Sequence, residues 1–116
     1  MTADETAERI CSLVQAYRTG RPLLLEAARA AGYFDRPNPV THAALSAYLG
    51  RHPELISEWE GVSADQRTSE GWVLENNPVQ PRVYFYPRGP STTFPTSAEA
   101  CAEFILRFLE RLLRQN

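Results

Sequence analysis

Lysine is absent from this chain. All twelve basic side chains are arginine, and fourteen residues are alanine. The arginines are scattered. The composition therefore fits a GC-rich bacterial genome better than a set of forks placed for bidentate carboxylate or phosphate contacts. Cysteine is scarce. Cys11 and Cys101 are too few for a disulfide scaffold, and both fall in apolar helical patterns, so they read as small, buried, reduced thiols. His42 and His52 are the only histidines, and their spacing fits no zinc pattern. No hydrophobic run approaches the ~18–20 residues of a membrane span. The start, Met1-Thr2-Ala3-Asp4-Glu5, is acidic and has no apolar core, so a secretory signal is not expected and the expected location is cytoplasmic.

Signatures of chemistry are missing too. There is no glycine-rich phosphate loop, dinucleotide fingerprint or nucleophile elbow, and Arg88-Gly89-Pro90-Ser91 reads as a plain turn. Glu58 and Glu60 stand two apart on a helix, where side chains diverge, so they make no acid–base pair. Nothing argues for an enzyme, and no cofactor or metal is expected. A net charge of −2 argues against broad electrostatic binding to nucleic acid.

What is present is a chain of 116 residues, 43% apolar and 22% charged, which predicts one globular domain over 1–116. Thr2 and Glu5 fit a capping box opening a helix over about 3–18, with Ala7, Ile10, Leu13, Val14 and Tyr17 on its apolar side. Pro22 opens an alanine- and leucine-rich helix over 22–31 that Gly32 ends, after which Tyr33 and Phe34 fold back into the core. Asp35 to Pro39 is a loop. Thr41 caps a helix over 41–49 ended by Gly50, and a short one follows over 54–60 with Leu55, Ile56 and Trp59 on one side. Residues 61–71 read as polar and turn-like. Alternating patterns at Trp72–Glu75 and Arg82–Tyr86 predict a hairpin, and Ser91–Phe94 a third short strand. Thr96 and Glu99 form a second capping box for the clearest element, a helix over 97–114. Helices, a small antiparallel sheet and a long C-terminal helix packed on it make an α+β fold.

Charge is unevenly spread. Residues 54–75 carry a net −5, from Glu54, Glu58, Glu60, Asp65, Glu70 and Glu75 against Arg67, while the rest of the chain sums to +3. Trp59 and Trp72, the only tryptophans, lie in the same segment. Two readings stand: a solvated acidic surface over two core tryptophans, or an acidic face for a basic partner with partly exposed aromatic anchors.

The stretch Trp59-Glu60-Gly61-Val62-Ser63-Ala64-Asp65-Gln66-Arg67-Thr68-Ser69-Glu70-Gly71-Trp72 resembles a Ser-Ala-Asp-x-Arg…Gly-Trp segment of small immunity proteins from bacterial polymorphic and contact-dependent toxin systems. The aromatic strand Val83–Tyr86, Phe94 and Ala100-Cys101-Ala102-Glu103-Phe104-Ile105 continue it, so that it covers about residues 59–109. It implies a cytoplasmic protein that binds one cognate toxin domain, expected to be basic, and blocks it without catalysis. Glu58, Trp59, Glu60, Asp65, Arg67, Glu70, Trp72 and Glu75 would form the partner-binding face, with no nucleic acid or membrane involved. Each also has a local reading. Ser63 or Asp65 can cap a turn, Arg67 can pair with Asp65 or Glu70, Gly71 can supply a backbone shape, and Trp72 can be core on the hairpin. The alternatives are a small cytoplasmic adaptor or regulatory domain, with homodimerisation through its apolar helices left open, and a small enzyme assembling dispersed residues such as His42, Tyr84 and Arg88.

Overall fold

The computed structural model describes residues 3–14, 21–30, 41–65, 71–77 and 79–114, with the backbone alone at 3–4, 21–25, 65 and 112–114. Among the described residues there are five helices, α1 (Ala3–Cys11), α2 (Arg21–Ala30), α3 (His42–Arg51), α4 (Pro53–Asp65) and α5 (Ser97–Arg114), and a sheet of β1 (Gly71–Glu75), β2 (Arg82–Tyr86) and β3 (Ser91–Thr93). The sheet is antiparallel in the order β1-β2-β3, and the fold is α+β as the sequence predicts.

α5 is the hub. Ala100, Cys101, Ala102, Phe104, Ile105, Phe108 and Leu109 are buried on it, a stripe wide enough to meet α3, α4 and the sheet at once. Thr96 caps it as expected. Its Oγ1 accepts from Glu99 N–H at 3.2 Å and donates to the Glu99 carboxylate at 3.1 Å, so the box closes on the hydroxyl itself. Thr41 caps α3 in the same way, accepting from Ala44 N–H at 3.0 Å.

Three boundaries differ from the sequence reading, and at two of them a tertiary contact intervenes. α1 ends at Cys11, and a turn at Ser12 and Leu13 separates it from Val14, which is helical again, so the continuous helix expected from residue 3 is interrupted. There Leu13 N–H bonds Ile10 C=O in a tightened turn, and the buried Trp59 indole N–H donates to Cys11 C=O at 2.8 Å. α3 runs past Gly50 to Arg51, with His52 as its cap. α4 continues through the stretch read as turn-like, to Asp65. Val62 and Ser63 extend the buried stripe of Leu55, Ile56 and Trp59 by one turn, and that burial outweighs the poor helix propensity of Gly61. Thr2, residues 15–20, Gly32, Tyr33 and Phe34, and the 35–39 loop, for which the sequence also carries expectations, lie outside the described residues.

The core centres on an aromatic trio. Trp59 meets Phe104 and Phe108 edge-on at 6.3 and 6.0 Å between ring centroids, and those two stack at 5.6 Å. Cys11 and Cys101 are free and fully buried, as expected. Burial pushes the Cys11 thiol up to about 12 and raises that of Cys101 as well, so both stay protonated and unreactive at neutral pH.

Candidate partner-binding surface

In the β1–β2 register Trp72 faces Phe85, Leu74 faces Val83 and Glu75 faces Arg82. With side chains alternating, Trp72, Leu74, Val83 and Phe85 share the inner face toward α5, and Glu75, Arg82 and Tyr84 share the outer one. The two faces have different chemistry. On the inner rim Arg107 lies over the Trp72 ring at 5.1 Å and Arg111 over Phe85 at 5.1 Å, with Trp72 and Phe85 edge-to-face at 5.2 Å. Arg107 Nε also donates to Glu103 at 2.8 Å. On the outer face Arg82 Nε donates to Glu75 at 2.7 Å while its guanidinium covers Tyr84 at 4.5 Å.

α4 carries the acidic segment. Its solvent side exposes Glu54, Ser57, Gly61 and Ala64, with Glu58 half-buried among them, opposite the buried Leu55–Trp59–Val62 stripe. Glu54 is largely exposed and meets His52 Nδ1 at 3.3 Å. Glu60 leans to the other side and accepts from Asn76 Nδ2 at 3.2 Å. The Asn76 Oδ1 in turn accepts from Ser97 Oγ, tying α4 to the start of α5.

The expected site residues therefore divide among several environments. Glu58 lies on the α4 surface, Glu60 in the Asn76 bridge, Glu75 in an ion pair on the outer sheet face and Trp72 under Arg107 on the inner rim. Asp65 ends α4, and Arg67 and Glu70 lie outside the described residues. Trp59 is a correction. It is 0% exposed and hydrogen-bonded to the α1 backbone, so it cannot serve as a partly exposed anchor. Helical spacing had already placed it with Leu55 and Ile56, and its indole N–H is the polar handle a buried tryptophan needs.

Ser63 also has a different role from a turn cap. It is 1% exposed; its Oγ accepts from Leu74 N–H at 2.7 Å and donates to Leu74 C=O at 3.4 Å. Both outward backbone groups of β1 at that position are thereby closed by α4. Sequence reasoning missed this contact and the two arginine–aromatic stacks. The signal for the stacks was present, since Arg107 and Arg111 are one helical turn apart.

Among the described residues, two clefts border β3. One of about 160 Å³ is lined by Trp72, Val83, Pro90, Thr92, Glu103 and Arg107. An open one of about 420 Å³ is lined by Val79, Gln80, Thr93, Phe94 and Pro95. His42 is held structurally. Its Nε2–H donates to Glu99 C=O at 3.1 Å, its Nδ1 faces Ser46 Oγ at 3.4 Å and its ring stacks on Phe94 at 6.0 Å. Phe94 N–H bonds Pro81 C=O just before β2, whereas Arg88 follows the far end of that strand. His42, Tyr84 and Arg88 thus do not converge. Among the described residues, no group of three or more His, Cys, Asp or Glu is placed to hold a metal, and no helix is long and apolar enough to cross a membrane. Comparison with protein-family models, curated proteins and solved structures finds no match to this chain.

Proposed function

We propose that the chain is a toxin-neutralising immunity protein, which binds a cognate, basic bacterial toxin domain through the acidic surface of α4 and blocks it without catalysis. The observation that carries this reading is the solvent face of α4. Glu54 and Glu58 stand there around the small residues Ser57, Gly61 and Ala64, and the helix contains no basic residue. Such a face steers a cationic partner by its field and lets it approach the helix closely. The resemblance over residues 59–109 supplies the class of partner.

The test is calorimetric affinity for the cationic C-terminal toxin domain encoded beside this gene, across a range of salt concentrations. Replacing Glu54, Ser57 and Ala64, all exposed on α4, with Arg should weaken binding at least tenfold and flatten its salt dependence. The melting temperature should hardly move, because exposed charges contribute only about 0–1 kcal/mol each. Unchanged affinity for the triple variant would move the interface off α4. A neighbourhood without a secreted toxin would remove the reading itself.

A further inference from the structure

β3 is the outer strand of the sheet, and Ser91, Thr92 and Thr93 are all exposed. Phe85 N–H donates to Pro90 C=O at 3.1 Å and Phe94 N–H to Pro81 C=O at 2.8 Å. Antiparallel bonding alternates with a period of two, so residues 90, 92 and 94 turn their backbone groups toward β2, and Ser91 and Thr93 turn theirs outward. Pro90 sits at an inward position and takes no donor from the free edge. Natural edges are blunted by shortness, charges, bulges or covering elements; β3 is short, and among the described residues it carries no charge, bulge or covering element. α5 packs on β1 and β2, and the 160 Å³ cleft lies beside β3 on the inner face.

We propose that the β3 edge is a docking site for an extended segment of a partner protein. The segment adds as a fourth, antiparallel strand, with an apolar residue toward Phe94 and an acidic residue four positions later toward Pro90. The backbone groups of Ser91 and Thr93 supply the pairing, and the two clefts read alternate side chains. The charge pattern sets the polarity. At the Pro90 end Arg88 is exposed and Arg111 stacks on Phe85, and among the described residues neither has a carboxylate partner. Thr92 and Arg107, the latter already paired with Glu103, line the cleft there, so Arg88 and Arg111 supply the unpaired positive charge. At the other end Val79 is 90% exposed beside Phe94 and Pro95. Four strand residues span ~13 Å and return to the same face, which sets the spacing of the two recognised side chains. This edge is the one away from α4, so the site does not depend on the acidic surface.

The test uses the peptide acetyl-Thr-Leu-Thr-Val-Thr-Glu-Thr-amide, titrated to millimolar concentration into the isotopically labelled full chain and followed by amide NMR. The expected result is shifts and slowed exchange at Ser91 and Thr93, with the Trp72 indole perturbed. A peptide N-methylated at the two inner threonines, which would face Ser91 and Thr93, should bind at least tenfold more weakly. One with Lys for Glu should bind several-fold more weakly. Thr93→Pro removes one outward donor and leaves the inward bonds, so it should lose binding at least tenfold. If that variant does not fold, the N-methylated peptide decides alone. Three results would overturn the proposal: no perturbation at Ser91 and Thr93, equal binding of the N-methylated peptide, or protection of those amides in the protein alone that rises with its concentration. The last would assign the edge to a second copy.

Discussion

At the β1 edge of the sheet, Ser63 reaches across from α4 and takes both the N–H and the C=O of Leu74. At the β3 edge, Ser91 and Thr93 hold the same pair of groups out to solvent. The two edges lie only three strands apart. One is sealed by the chain's own hydroxyl and buried against a helix; the other keeps its ladder open between two clefts. A buried backbone group must be satisfied internally, whereas an exposed one is satisfied by water and can exchange that water for a partner. The contrast divides the molecule into a side that holds itself together and a side available for recognition.

The largest expected effect tests that division directly. Ser63→Ala leaves two buried backbone groups of Leu74 without partners and should cost about 2–4 kcal/mol in urea denaturation. Thr93→Ala should stay within about 0.5 kcal/mol, because its surroundings are solvent. Equal costs at the two positions would remove the distinction between the edges.

Gly89 sharpens it from the open side. A Cβ there would overlap the Phe85 side chain, so the turn leading into β3 tolerates no larger residue without a shift. Gly89→Ala should destabilise by about 1–3 kcal/mol by thermal melting, and should perturb the Ser91 and Thr93 amides more than that of Leu74.

The core behind the sealed edge should show in the pH dependence. The folded Cys11 thiol is raised to about 12 from an ordinary 9.0. The unfolded chain therefore releases this proton first, and the contribution is intact below pH 9 and lost as pH rises toward 12. Stability should fall by about 1 kcal/mol between pH 9 and 10 from this group, and Cys11→Ala should reduce that slope. Equal slopes would place the titration elsewhere.

Gly61 gives the smallest effect and the opposite sign. It lies in α4 with nothing within 4 Å of an added Cβ. Gly61→Ala should stabilise the fold by about 0.5–1 kcal/mol in denaturant titration, since a helical glycine carries an entropy cost. If the α4 face is the toxin interface, the same change should weaken toxin binding; a gain in stability with binding unchanged would place the partner elsewhere.

Much of the fold was legible before the structure. The capping residues Thr41 and Thr96, the apolar stripe of α5 and the shift to alternation at Trp72 and Val83 are local signals, carried by residues a few positions apart. The α4 terminus was not legible, because Gly61, Ser63 and Asp65 favour turns locally and are held in helix by burial of Val62 and Ser63. The candidate surface was legible as composition only. Glu58, Glu60, Trp72 and Glu75 are neighbours in sequence, but helical and strand periodicities send them to different surfaces.

The sequence by itself therefore determined the class of each element, the caps, the third strand and the inertness of two thiols on apolar stripes, since each follows from short-range periodicity and side-chain chemistry. Only the tertiary structure decided that Trp59 is core, that Ser63 seals one edge of the sheet, that Arg107 and Arg111 stack on the hairpin aromatics and that the β3 edge stays open. The first three pair groups distant in sequence, from 11 residues for Ser63 with Leu74 to 48 for Trp59 with Cys11. Such pairings depend on the angles and registers at which whole elements pack, which no local pattern encodes.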